Sequence, residues 1–291
     1  MLTQQIVSGL AAGSLYALMA LGLVLLYKTS DIANFAQGDI AMASTFVAYT
    51  LLEGMRLPMW AAFLGALAAA AVLGVVIEAG LMRIARKRHV TILGMVMATL
   101  GIAMVINAAA GWVWGYDTKS FPYAVAGPPV MLGSVIISRA YLLDLVVALI
   151  LAVALFAFTK YTRIGTAMRA TAQNQIGARL MGISVNRIFA VTWALSSALG
   201  AVAGVLIAPI MFLDLGTMTA VQIKGFAAAV IGGFTSLPGA VVGGLLLGVM
   251  ENLVAGYIST EMKTTFAFLM IIVFLTIKPS GLFGAAVRKK V

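Results

Sequence analysis

Long apolar stretches recur along the chain, and they limit its possible folds more than any other feature. A helix that crosses a bilayer needs about 20 mostly apolar residues. Runs near that length lie at 5–27, 33–52, 58–82, 90–112, 139–159, 188–210, 219–235, 238–258 and 262–278. Charge is scarce: 63% of the 291 residues are hydrophobic and 10% are charged, whereas a soluble domain carries about a quarter charged residues. The expected fold is therefore all-α and polytopic, with about eight or nine transmembrane helices in a single domain over residues 1–291. Two segments, 30–42 and 224–248, are interrupted by polar residues or glycine.

The formal net charge of +10 does not indicate nucleic acid, because the cations gather between apolar runs. The clusters are Arg83, Arg86, Lys87 and Arg88; Lys160 through Arg187; and Lys278 with Arg288, Lys289 and Lys290. Basic loops of membrane proteins stay cytoplasmic. Loops 83–89 and 160–188 and the C-terminus are therefore expected inside, close to lipid headgroups. Nine crossings put the N-terminus outside, and eight change that parity. The first run lacks a basic leader and a clear small-residue cleavage site, so it is expected to be an uncleaved span. The absence of cysteine excludes disulfides, thiol catalysis and Cys-ligated zinc.

Gly200/Gly204, Gly239/Gly243 and Gly244/Gly248 are small-xxx-small pairs, which let helix backbones approach closely. In SDIANFAQGDIAM, Asn34, Gln37 and Asp39 lie within or beside the second run, and Asp31 could N-cap it. An acid near mid-membrane is costly unless it is paired or faces water. Transporters use interrupted helices to place substrate near the midplane. Asn34, Gln37, Asp39 and the deep Glu251 are therefore the candidate pathway residues. Glu78, one turn before Arg83, is expected to snorkel to the surface, and His89 to be a solvated loop residue. The sequence contains no metal-ligand set and no HExxH, GxSxG or Walker motif. No catalytic residues are assigned, and the chain cannot hydrolyse ATP itself.

The stretch TRIGTAMRATAQNQIGARLMGISVNRI, 162–188, carries four arginines and no acid. Ile164, Met168, Ala172, Ile176 and Leu180 recur every four residues, which predicts an amphipathic stripe on one or two short helices. Gly182 is placed to cap the second of them. A headgroup anchor accounts for the arginines. It does not account for Gly165, Ala167, Ala170, Gly177, Ala178 and Gly182, whose small size suggests close approach by another protein surface.

Four motifs together resemble the permease subunits of branched-chain (hydrophobic) amino acid ABC importers. The loop matches at Gly165, Ala167, Met168, Arg169, Ala170, Ala178, Gly182 and Ile183, with Thr166 and Gly177 as departures. Asn34, Phe35, Ala36, Gly38 and Asp39 match a second motif. Gly232, Gly233, Ser236, Gly239, Ala240, Gly243, Gly244 and Glu251 match a third, and Lys278 to Gly284 a fourth. The resemblance implies a bacterial inner-membrane subunit that imports branched-chain or related amino acids by ATP-driven alternating access. Its implied partners are a second related permease, two cytoplasmic ATPases that hydrolyse the ATP, and a periplasmic binding protein. No cofactor would be bound by this chain. Gly165, Met168, Arg169, Ala170, Ala178 and Gly182 would form the ATPase-coupling segment. The alternative from the residues alone is a stand-alone ion-coupled secondary transporter using Asp39 or Glu251.

Overall fold

The computed structural model describes residues 2–125, 127–132 and 135–284. Arg288, Lys289 and Lys290 lie outside the described residues. Each apolar run forms a helix. These are α1 (Leu2–Ser30), α2 (Gln37–Tyr49), α3 (Met59–Ile77), α5 (Ile92–Trp114), α6 (Arg139–Tyr161), α9 (Val185–Met211), α10 (Thr217–Gly232), α11 (Leu237–Tyr257) and α12 (Met262–Ile277). Two π-turns, Thr50–Gly54 and Glu78–Met82, extend α2 and α3, and the second leads into the short α4 (Arg83–Lys87). Among the described residues, six helices are long and apolar enough to cross a bilayer, with α3 counted through Lys87; α10 and α12 are shorter apolar helices. The basic loop folds as α7 (Arg163–Gln173) and α8 (Gln175–Leu180). One feature departs from the all-helical expectation. Strands β1 (Val130–Leu132) and β2 (Val135–Ile137) pair antiparallel, with Val130 opposite Ile137. The β-branched residues here favour extended backbone.

The chain divides into two compact units. Residues 1–24, 123–152 and 220–291 form one, and residues 25–122 and 153–219 form the other.

In the second unit, small residues set the helix spacing. Ala62, Ala66, Ala70 and Gly74 are buried at four-residue intervals along α3. A Cβ on Gly74 would lie 2.7 Å from the Trp193 carbonyl oxygen of α9. On α9 itself, a Cβ on Gly204 would meet the Ala41 carbonyl of α2 at 3.0 Å. The Gly200/Gly204 pair thus does what its spacing predicts, and its partner is α2.

In the first unit, α11 uses its two glycine pairs on two different neighbours. A Cβ on Gly244 would lie 2.5 Å from Ala17 N of α1, and one on Gly13 would lie 2.7 Å from the Gly244 oxygen. A Cβ on Gly243 would come within 2.7 Å of Gly232 N on α10. The turn between α10 and α11 contains Gly233 at φ +101°, a left-handed conformation that glycine adopts without strain. Ser236 caps α11 by accepting from Gly239 N at 3.1 Å. The segment after α12 folds back on this turn, where Leu282 N and Phe283 N donate to the Ile231 and Gly232 carbonyls at 2.8 and 3.0 Å. Two of the motifs noted in the sequence therefore meet at one point.

Candidate functional site

The first polar break lies in the second unit. Helix α1 ends at Ser30, and Asp31 takes a left-handed φ of +59°. Asp31 is therefore not the N-cap of the second span. That position is Ala36, which makes no side-chain cap bond. The backbone between is held by local and distant partners. Asn34 Oδ1 accepts from Ala36 N at 3.0 Å, and Phe35 N donates to Thr99 Oγ1 at 3.2 Å. Gln37 is fully buried and accepts from Ser196 Oγ of α9 at 3.0 Å. Asp39 sits in the first turn of α2, where the helix dipole favours an anion. Its Oδ1 accepts from Asn107 Nδ2 of α5 at 3.1 Å, and the same amide donates to the Leu215 carbonyl at 3.1 Å. Asp39, Asn107 and Tyr116 line a cleft of about 390 Å³ whose other walls are Ala103, Met104 and Ala108. A half-buried carboxylate at such a cleft can receive a cation such as an ammonium group. Asn107 was not singled out from the sequence; its signal is a single amide within an otherwise apolar run.

Glu251 lies in the first unit, whereas the residues of the 30–42 break belong to the second. Lys224, near the centre of α10, forms an ion pair with Glu251 Oε1 and donates to the Tyr16 hydroxyl of α1 at 3.2 Å. Glu251 is 1% exposed, and its Oε2 has no hydrogen-bond partner among the described residues. Sequence reasoning also passed over Asp144 of α6, which is equally buried.

Glu78 differs from its expectation. It does not snorkel. It is fully buried and bound by both terminal nitrogens of Arg86. The Arg86 guanidinium also lies over the Phe189 ring, 4.3 Å from its centre. A cation that reaches back supplies the partner, so the carboxylate has no need of the surface.

The basic loop departs from its predicted stripe. Asn174, with φ −158°, breaks the helix, and its side chain accepts from Ile176 N and Gly177 N at 3.0 and 2.9 Å to start α8. On α7 the buried residues are Gly165, Met168 and Thr171. Ile164, Ile176 and Leu180 are 43%, 73% and 83% exposed, as is the neighbouring Met181 at 83%. Gly165 is small because its own chain is close: a Cβ there would lie 2.5 Å from the Thr159 oxygen. Arg169 donates to that same carbonyl. Ala178 packs with Val185 and Phe189. Gly182, at φ +80°, ends α8 as its spacing predicts, and Ile183 N returns to the Ala178 carbonyl at 2.9 Å. Ala170 is half-buried. Thus Gly165 and Ala178 fit the loop to its own chain, and the residues exposed on and just after α8 include the large apolar side chains of Ile176, Leu180 and Met181.

Comparison with known proteins gives this arrangement its context. The profile of the branched-chain amino acid transport system permease component family matches residues 5–275. The chain belongs to this family. It is 31% identical over 305 residues to the high-affinity branched-chain amino acid transport system permease protein LivH of Salmonella typhimurium, covering 99% of this chain and 97% of that one. It is 33% identical over 301 residues to BraD of Pseudomonas aeruginosa, a permease protein of the same description, again covering 99% and 97%. A chain of PsaBC from Streptococcus pneumoniae, solved in complex with Fab, shares the fold, with a TM-score of 0.51 at 10% identity over 96% of this chain and 92% of that one. This family member is thus a multi-pass membrane permease, and the relatives it resembles are transport subunits.

Proposed function

We propose that the chain is the membrane-spanning subunit of an ABC importer for branched-chain or related amino acids. It would work with a second related permease, two cytoplasmic ATPases and a periplasmic binding protein. Near-full-length family membership, in a chain that carries no nucleotide-binding motif, is the observation that carries this reading. Energy must then come from a partner. The loop 160–188 is the place for that partner, with the basic loops and the C-terminus cytoplasmic. Ile176, Leu180 and Met181 are large apolar side chains held outward on a short, capped helix, which suits insertion into a groove of the ATPase. Gly165, Met168, Arg169, Ala170, Ala178 and Gly182 give the segment its shape and seat it on α6 and α9, so that a push on α8 moves both spans. Closure of the ATPase dimer would then tilt helices around the pathway. In that pathway Asp39 would receive the substrate ammonium, with Asn34 and Gln37 keeping the broken backbone in place. Glu251 is proposed as a pathway residue within the first unit, and alternating access would follow.

The reading is tested by reconstituting the permease pair with its ATPase and binding-protein partners in proteoliposomes. Leucine uptake should depend on ATP. Ile176→Asp/Leu180→Asp should lower uptake at least about tenfold, the loss expected when central interface anchors are removed, while the chain stays inserted in the bilayer. Full uptake by that variant would remove α8 from coupling, and gradient-driven uptake by this chain alone would overturn the importer reading.

A further inference from the structure

Residues 79–116 and 145–213 contain no acid, yet cations from both stretches line one cavity. The end of the α3–α4 span contributes the cations Arg83, Arg86 and Lys87, with the His89 imidazole beside them, and the α8–α9 junction contributes Arg179 and the first turn of α9. The cavity measures about 450 Å³. Arg86 is already neutralised by Glu78. Arg83 feels the same carboxylate, but its Nε is buried and has no hydrogen-bond acceptor. Lys87, His89 and Arg179 have no acidic partner among the described residues. Helix α9 begins at the cavity, and the Ser184 side chain makes no cap bond there. A first helical turn leaves its N–H groups without intrahelical partners and carries the positive end of the helix dipole.

A solvated basic face would spread its charges over a convex surface and keep each donor wet. Here two segments distant in sequence direct their cations into one concavity, and a guanidinium nitrogen is buried without an acceptor. Such a donor costs free energy until an acceptor arrives. The geometry points to a bound phosphate group, carried either by an anionic phospholipid or by a soluble phosphate. The lipid source follows from position, since the cavity lies where two spans end and basic pockets between span ends bind anionic headgroups. A headgroup held there joins the end of α4 to the start of α9, beside the loop that contains α7 and α8. This inference stands apart from the transport reading and does not require it.

The test uses the full chain in nanodiscs of phosphatidylcholine, with or without phosphatidylglycerol. Arg83→Gln/Arg179→Gln is compared with Lys160→Gln/Arg163→Gln, which removes the same charge from exposed positions outside the cavity. Lipid retained on release into detergent is counted by native mass spectrometry. The cavity variant should retain about tenfold less phosphatidylglycerol than the control, in line with the loss of two headgroup-binding cations, and the same amount of phosphatidylcholine. If the source is soluble, millimolar inorganic phosphate in phosphatidylcholine nanodiscs should raise the unfolding temperature of the control and leave the cavity variant unmoved. Arg179→Gln alone, at an exposed position, should show a partial loss in whichever assay responds, which separates site loss from misfolding. Equal phosphatidylglycerol retention together with equal phosphate response in all variants would overturn the site.

Discussion

Lys224 and Glu251 are acceptable inside an apolar bundle because they meet each other. Their side chains are 12% and 1% exposed. Removing one partner of a buried pair strands the other, a loss of about 3–5 kcal/mol, whereas replacing both with apolar side chains of similar volume is often neutral. Glu251→Gln should therefore lower the unfolding temperature of the purified chain sharply, and Lys224→Met/Glu251→Met should restore most of it. Two single variants whose losses simply add in the double would remove the pairing from the stability of this unit. The same pair marks how far the sequence could be read at this scale. Glu251 was visible as an acid within an apolar run. Its partner was not, because the pairing depends on how the α10–α11 turn folds back. Asn107 and Asp144 were missed for a similar reason. A lone polar residue within a span is given meaning by the helix packed against it, and the sequence does not name that helix.

At the scale of elements, glycine spacing was the most faithful guide. All three small-xxx-small pairs mark close backbone approaches, although their partner helices, and the contribution of Gly9 and Gly13 on α1, emerge only in the fold. The atoms nearest Gly244 are backbone atoms of α1, which cannot rotate away. Gly244→Leu should therefore cost at least the roughly 1–3 kcal/mol typical of overpacking. Gly101, on α5, has nothing within 4 Å of its missing Cβ. Gly101→Ala should be neutral or stabilising by up to about 1 kcal/mol. Thermal unfolding of both variants checks the contrast, and equal effects would deny the glycines their packing role. Periodicity was a poorer guide in the basic loop. The four-residue recurrence from Ile164 to Leu180 runs across Asn174, whose side chain captures the following N–H groups and starts a new helix. The stripe divides there. Met168 turns inward, and Ile176 and Leu180 are left outside.

For the whole molecule, the positions of the spans were legible because bilayer thickness fixes their length, and every apolar run became a helix within a few residues of its expected bounds. The π-turns, the β1–β2 hairpin and the division into two compact units had no comparable signature. The proposed orientation is open to direct measurement, since the chain has no cysteine and a single introduced thiol would be the only one to react. Arg88→Cys should label with a membrane-impermeant maleimide only from the cytoplasmic side, and Asp117→Cys only from the opposite side. Labelling of both from one side would reverse or void the assignment.

The segment after α12 places a constraint on how the protein is made. The carbonyls of Ile231 and Gly232 receive their donors from Leu282 and Phe283, some fifty residues later. A ribosome therefore delivers the α10–α11 turn well before it delivers the groups that complete it. Until then the turn has open acceptors, and the glycine surface around Gly233 is uncovered. A chain that stops before Leu282 lacks both donors, so the α10–α11 turn closes only after α12 and the segment that follows it have been made.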